Sequence, residues 1–199
     1  MRAFAAILVL CAFCAATSPA SADGLPAGQR ELARRALRSG AVVLSADATG
    51  RGYLHYVAVD DVATPLACGP LPGAWGLWLD DVDGDGRAEA LVASRRPARF
   101  DPAVENRLLV LSLAEGRCVP LWRGTRLAGR FDDLAVSSSN RGELFAWERI
   151  GGGSRRVAIY RWSSFGYALE RVLWQGEGAP PAPLRRHFDS LHAGSEEER

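Results

Sequence analysis

Lysine is absent from this chain: all 24 of its basic side chains are arginine. Against 23 acidic side chains they leave a formal net charge of +1. No long-range field therefore steers nucleic acid or an anionic lipid surface toward it, and we read the exclusive use of arginine as coding bias in a GC-rich genome. Histidine is scarce, with only His55, His187 and His192, and no Cys/His spacing suits zinc. Beyond the N-terminus no apolar run approaches the roughly twenty residues of a spanning helix. No phosphate loop is present. Ser137-Ser138-Ser139-Asn140 lacks the G-x-S-x-G elbow and any nearby histidine base. These absences argue against nucleotide, zinc and serine-nucleophile chemistry, and the expectation is a protein without catalytic activity.

The N-terminus has the form of a signal peptide over 1–22. Arg2 is its basic start, Ala3 to Ala16 its apolar run, and Ala20-Ser21-Ala22 its A-x-A cleavage site. Leu10 and Phe13 precede Cys11 and Cys14 where a lipobox needs Gly or Ala, so the mature chain is expected to be soluble and to begin near Asp23, in the periplasm or outside the cell. Two cysteines remain, Cys68 and Cys118. An oxidising compartment allows them one disulfide; the alternative is two unpaired apolar cysteines inside strands, and both readings stay open.

Residues 26–38 carry Leu32, Ala33, Ala36 and Leu37 at helical spacing, so a short N-terminal helix is expected there, ended by Gly40. From Ala41 the period changes. Short apolar or alternating runs fall at 41–46, 53–59, 75–79, 88–94, 107–113, 118–123, 130–136, 143–148, 156–162 and 167–174. Gly, Pro, Asp and Asn punctuate them, as in an all-β protein. The expected domain is 23–178, and the Pro-rich, charged segment 179–199 is expected to be a flexible tail.

One loop states a chemistry. In Asp81-Val82-Asp83-Gly84-Asp85-Gly86-Arg87-Ala88-Glu89 the acids alternate and glycines separate them. A hard cation such as calcium takes six to eight oxygens, which such a loop supplies. Without a cation, unit charges 4 Å apart repel by roughly 1–4 kcal/mol per pair. An EF-hand is excluded, because loop position twelve falls on Val92 and the flanking segments read as strands. Strand, DxDGDGxxE, strand resembles the FG-GAP or VCBS type of repeat, the blade unit of integrin-like β-propellers. Trp75-Gly76 stands where that family usually has Phe-Gly, Ala93-Ser94 replaces Gly-Ala-Pro, and Glu89 replaces the commoner Asp. The resemblance implies propeller-like four-stranded antiparallel sheets and bound calcium (Ca2+), with oxygen ligands from Asp81, Asp83, Asp85 and Glu89 and the main-chain carbonyl of Arg87.

An internal repeat is also legible. Trp78-Leu79-Asp80-Asp81-Val82 returns as Arg130-Phe131-Asp132-Asp133-Leu134, and Glu89-Ala90-Leu91-Val92-Ala93 as Glu143-Leu144-Phe145-Ala146-Trp147. Pro120-Leu121-Trp122-Arg123-Gly124 is answered by Val172-Leu173-Trp174-Gln175-Gly176. Matching on the glutamates sets Ala135, Ser137 and Ser139 against Asp81, Asp83 and Asp85, so one calcium is expected and not two. Residues 41–74 then amount to half a unit, 75–126 to one and 127–178 to another, about two to three units in all. Open sheet edges make self-association an expectation as well. The tryptophans are expected to fill the core, with stacking on sugars the alternative, and the hairpin Ala158 to Tyr167 to pack blade against blade, with an aromatic ligand platform the alternative. The expected role is to present loops to a partner protein or a glycan. The rival reading is a hydrolase acting on an extracellular polymer through paired carboxylates, Asp60/Asp61 or Asp132/Asp133.

Overall fold

The structure, a computed structural model, describes residues 25–58, 63–124, 127–137 and 139–197. The expected signal peptide and the Asp60/Asp61 pair lie outside the described residues. Among the described residues the chain is all-β, with three antiparallel sheets and one α-helix. The first sheet runs β1 (Arg30–Leu37), β2 (Gly40–Ala46), β3 (Arg51–Ala58) and β4 (Ala63–Pro65), and β5 (Leu71–Pro72) also pairs with β3. The second sheet runs β6 (Ala74–Asp80), β7 (Glu89–Ala98), β8 (Asp101–Ser112) and β9 (Val119–Arg123). The third runs β10 (Arg130–Val136), β11 (Glu143–Gly151), β12 (Ser154–Ser163) and β13 (Gly166–Glu177). Helix α1 (Ala182–Glu197) follows. Strands enter each sheet in chain order, so every contact within a sheet is between sequence neighbours or near neighbours.

The first hairpin of every sheet carries one register shift, between Glu31 and Ala33, Ala74 and Gly76, and Phe131 and Asp133. Such a bulge opposes two residues to one and bends the strand. Its recurrence gives the three sheets a common frame in which Ala33, Gly76 and Asp133 face Leu44, Ala93 and Trp147. The expected N-terminal helix is therefore corrected: Arg30–Leu37 is the first strand of the first sheet. The bulge explains the misreading. It breaks the two-residue alternation, so Leu32, Ala33 and Leu37 all pack toward one core, a spacing that imitates a helical stripe. With β1 in place, the half-unit read from the sequence becomes the complete first sheet, making three in all among the described residues.

Two cores fill the spaces between sheets. Val42, Leu44 and Leu54 of the first sheet meet Leu77, Val92 and Leu109 of the second. On the second sheet's other face, Leu91, Leu108 and Val110 meet Phe131, Leu144 and Tyr160 of the third. Each buried side chain of this size contributes roughly 1.5–3 kcal/mol. Strand β1 contacts β6, and β6 contacts β10.

The segment expected to be a flexible tail contains α1, which packs on the outer face of the third sheet. Phe188, with Leu184 and Leu191 one helical turn to either side, lies on Phe145, Trp147 and Ile159. The Arg185 guanidinium sits 4.8 Å from the Trp147 ring centre. Pro183 falls in the first turn, where a missing N–H costs nothing. Cys68 and Cys118 are disulfide-bonded across 50 residues, tying the segment after β4 to the start of β9. A loop of that length stabilises by roughly 2–4 kcal/mol.

Candidate metal centre

In the common frame the first hairpins close on Leu37↔Gly40, Asp80↔Glu89 and the Ser137 amide on the Glu143 carbonyl. The connections differ: residues 38–39 in the first sheet, 81–88 in the second and 138–142 in the third. The acidic sequence is the longest of the three. Its chain turns through Gly84 and Gly86 at φ of 81° and 86°, a left-handed backbone that glycine adopts without a Cβ penalty.

The loop gathers three of the expected ligands. Carboxylate oxygens of Asp81, Asp83 and Glu89 lie within 4.8 Å of one another. Glu89 is buried at the start of β7 and accepts the Val82 amide at 3.0 Å. Burial first, then the charges of Asp83, Asp85 and Asp81, push its carboxyl up to about 7 against the pull of that amide. Asp81 accepts the Gly86 amide through Oδ2 at 3.1 Å, and the same oxygen pairs with Arg141 at 3.1 Å. Its other oxygen, Oδ1, is buried and accepts from nothing among the described residues. Asp83 receives the Asp85 amide at 3.2 Å. Asp85 and Arg87 stand outside this trio. The Asp85 carboxylate is turned to the Arg87 amide at 2.8 Å, and the Arg87 side chain is exposed.

The third sheet shows the same glutamate answered differently. Glu143 lies opposite Arg161 on its ladder, and Arg161 Nη2 donates to it at 3.0 Å. In the second sheet the residue opposite Glu89 is Ser112. One buried carboxylate has an arginine across the rung; the other has two more carboxylates and no cation across the rung. The donor set fits a hard divalent cation: oxygen ligands only, one orphaned oxygen, and excess negative charge.

The ladder also corrects the repeat register read from the sequence. Ala135 does not oppose the place of Asp81. It lies inside β10, buried, facing Phe145, because the third sheet's loop is three residues shorter. Asp80 sits at the far end of β6 opposite Glu89, whereas Asp133 faces Trp147 in the middle of β10. The two Asp-Asp pairs are therefore not equivalent. Trp122 faces Val110 and Trp174 faces Val157, so that match is also displaced. Asp132 is held by Arg149 at 2.8 Å, a surface ion pair. Burial, opposed by the Gly142 amide, pushes the Asp80 carboxyl up to about 6.

Trp78 and Trp147 are buried, and Trp122 and Trp162 pack against the core between the second and third sheets. Tyr160 and Tyr167 of the aromatic hairpin lie there too, while Phe165 at its tip is exposed. Sequence reasoning missed Glu148. It is wholly buried, takes the Tyr160 hydroxyl at 2.7 Å and the Gly129 amide at 2.9 Å, and pairs with Arg156 at 2.5 Å. Its only signal was a charged residue ending an apolar run. No protein-family model matches the chain, and no curated protein matches it in sequence. Among the described residues no helix is long and apolar enough to cross a membrane.

Proposed function

We propose that this is a calcium-binding FG-GAP/VCBS-like repeat protein, periplasmic or secreted, that presents loops to a partner protein or glycan and carries no catalytic activity of its own. The observation that carries the proposal is the contrast between Glu89 and Glu143: Arg161 faces Glu143 across the rung in one sheet, and Ser112 faces Glu89 in the other. Asp81, Asp83 and Glu89 would hold the ion, with Asp85 and the Arg87 carbonyl completing the shell. Bound there, the ion would neutralise the loop and fix its shape.

A propeller-like arrangement of the sheets is part of the same reading. It is supported by the bulge repeated in β1, β6 and β10 and by the contacts of β6 with both β1 and β10. Because α1 covers the third sheet's outer face, self-association through that face would require the helix to leave. The test is a calorimetric titration of chelator-stripped mature protein with calcium and with magnesium. Calcium is expected to bind in the 10⁻⁴–10⁻³ M range of extracellular modules, with magnesium much weaker because it holds its water in a tighter octahedron. No heat and no change in melting with millimolar calcium would leave the loop as a turn only.

A further inference from the structure

Strand β7 has the acidic loop at its start and a second chemically distinct feature at its end. Beside it the first sheet ends in two short strands, β4 of three residues and β5 of two, and part of the second sheet stays uncovered. The uncovered wedge is a cleft of about 1000 Å³, floored by Leu71, Leu109 and Leu111 and bordered by Phe100 and Pro120. Drug-sized ligands occupy clefts of this size class, lined mainly by apolar groups with a few fixed polar ones.

The charged groups here are mostly cationic. Among the described residues four arginines line the cleft, Arg96, Arg99, Arg107 and Arg123, against the single acidic residue Asp101. Asp101 is engaged by Arg107, which is buried and donates to it at 2.9 Å and to the Ala103 carbonyl at 3.1 Å. Arg96 donates to the Ser94 hydroxyl at 3.3 Å, and its far nitrogen lies toward Gly124. Among the described residues none of Arg96, Arg99 and Arg123 has a carboxylate partner. Burial and the neighbouring Arg107 charge both press the Arg96 guanidinium down from its ordinary value. A half-buried cation beside a second cation is costly unless an anion answers it. Arg99 lies over the Phe100 ring at 5.2 Å, and that ring is otherwise open to solvent.

We propose that this cleft binds an organic carboxylate built on a ring. The carboxylate would take the Arg96 fork in the bidentate geometry that guanidinium offers, and the ring would lie against the exposed Phe100 ring at the same end of the cleft. An aryl acid and an acidic sugar share that chemistry. The proposal is independent of the calcium loop, which faces the other seam of the second sheet.

The test is titration calorimetry on the mature protein with benzoate and with digalacturonate. Each is compared with its uncharged counterpart, benzamide and cellobiose. One of the acids is expected to bind with a Kd of millimolar or tighter, weaken as salt rises, and exceed its neutral counterpart at least tenfold; which acid binds names the source. Arg96→Gln removes a cation from beside Arg107, so the variant should melt no lower than wild type yet lose at least tenfold in affinity. Phe100→Ala, at an exposed position, should weaken binding without changing melting. Absence of binding by both acids, equal binding of the neutral compounds, or unchanged affinity in folded Arg96→Gln would each overturn the proposal.

Discussion

The Gly142 amide donates to the Asp80 carboxylate at 2.8 Å across 62 residues of chain. It joins the turn of the third sheet to the root of the acidic loop in the second. Gly142 sits at φ of 64°, and a Cβ there would meet the Val82 carbonyl at 2.9 Å and the Trp162 Cβ at 3.1 Å. Arg141, next to it, pairs with Asp81. The loop is thus braced from the neighbouring sheet, and its shape depends on contacts that no short motif contains.

Calcium should raise the melting temperature of the mature protein. Binding only to the folded state stabilises it by about 2.7 kcal/mol at a hundredfold excess over Kd. Asp83→Ala should abolish that rise while leaving melting in chelator unchanged or higher, since one repelling charge is gone. Protons compete for Glu89, whose carboxyl is raised toward 7. The calcium-induced rise should therefore shrink as pH falls from 8 to 5. A thermal scan with calcium and with chelator at each pH checks all three.

Ser112→Arg should place in the second sheet the cation that Arg161 supplies in the third. The variant is expected to fold, to melt higher than wild type in chelator, and to respond to calcium at least tenfold more weakly. An undiminished calcium response in the folded variant would count against the equivalence of Glu89 and Glu143.

Phe188→Ala should destabilise the protein by about 3–5 kcal/mol, the usual cost of emptying a phenylalanine site, because Phe188 is buried against Phe145 and Trp147. Denaturant unfolding measures it. A truncation before residue 179 should bind a hydrophobic dye through the uncovered sheet face. A cost below about 0.5 kcal/mol, the ordinary surface range, would mean that α1 does not dock in solution.

Oxidised mature protein should show no free thiol in denaturant, because Cys68 and Cys118 are bonded. Reduction should lower stability by roughly 2–4 kcal/mol. A thiol titration and paired melts with and without reductant measure both effects.

His55 supplies a pH dependence of its own. It is buried, its Nε2 meets Ser45 and Gln29 at 2.9 Å, its Nδ1 has no partner among the described residues, and burial lowers its pKa below 6.5. The unfolded chain then binds a proton that the folded one refuses. Its contribution to stability is full above pH 6.5 and is lost as pH falls below, by at most about 1.4 kcal/mol per pH unit. His55→Leu should flatten the fall in melting temperature between pH 6.5 and 5; an unchanged slope would show that another group sets it.

Most of the strands were legible because each is short, apolar and ended by Gly, Pro or Asp. Those signals act within a few residues, and sheets that pair chain neighbours need little else. The acidic loop was legible for the same reason: alternating carboxylates and two glycines are a local pattern. What the sequence by itself determined is therefore the all-β class, most of the strands from Ala41 onward (β4 and β5 excepted) and the place of the carboxylates. The tertiary structure alone decided the rest. It made Arg30–Leu37 a strand, since a bulge can imitate a helical stripe and only pairing with β2 tells the two apart. It turned a polar tail into a helix, because Leu184, Phe188 and Leu191 gain meaning only against the face of Phe145 and Trp147. It set the repeat register, which slips wherever a loop changes length, and so revealed that Ser112 and Arg161 share one rung. Burial and charge pairing arise between segments far apart in the chain, and no local pattern records them.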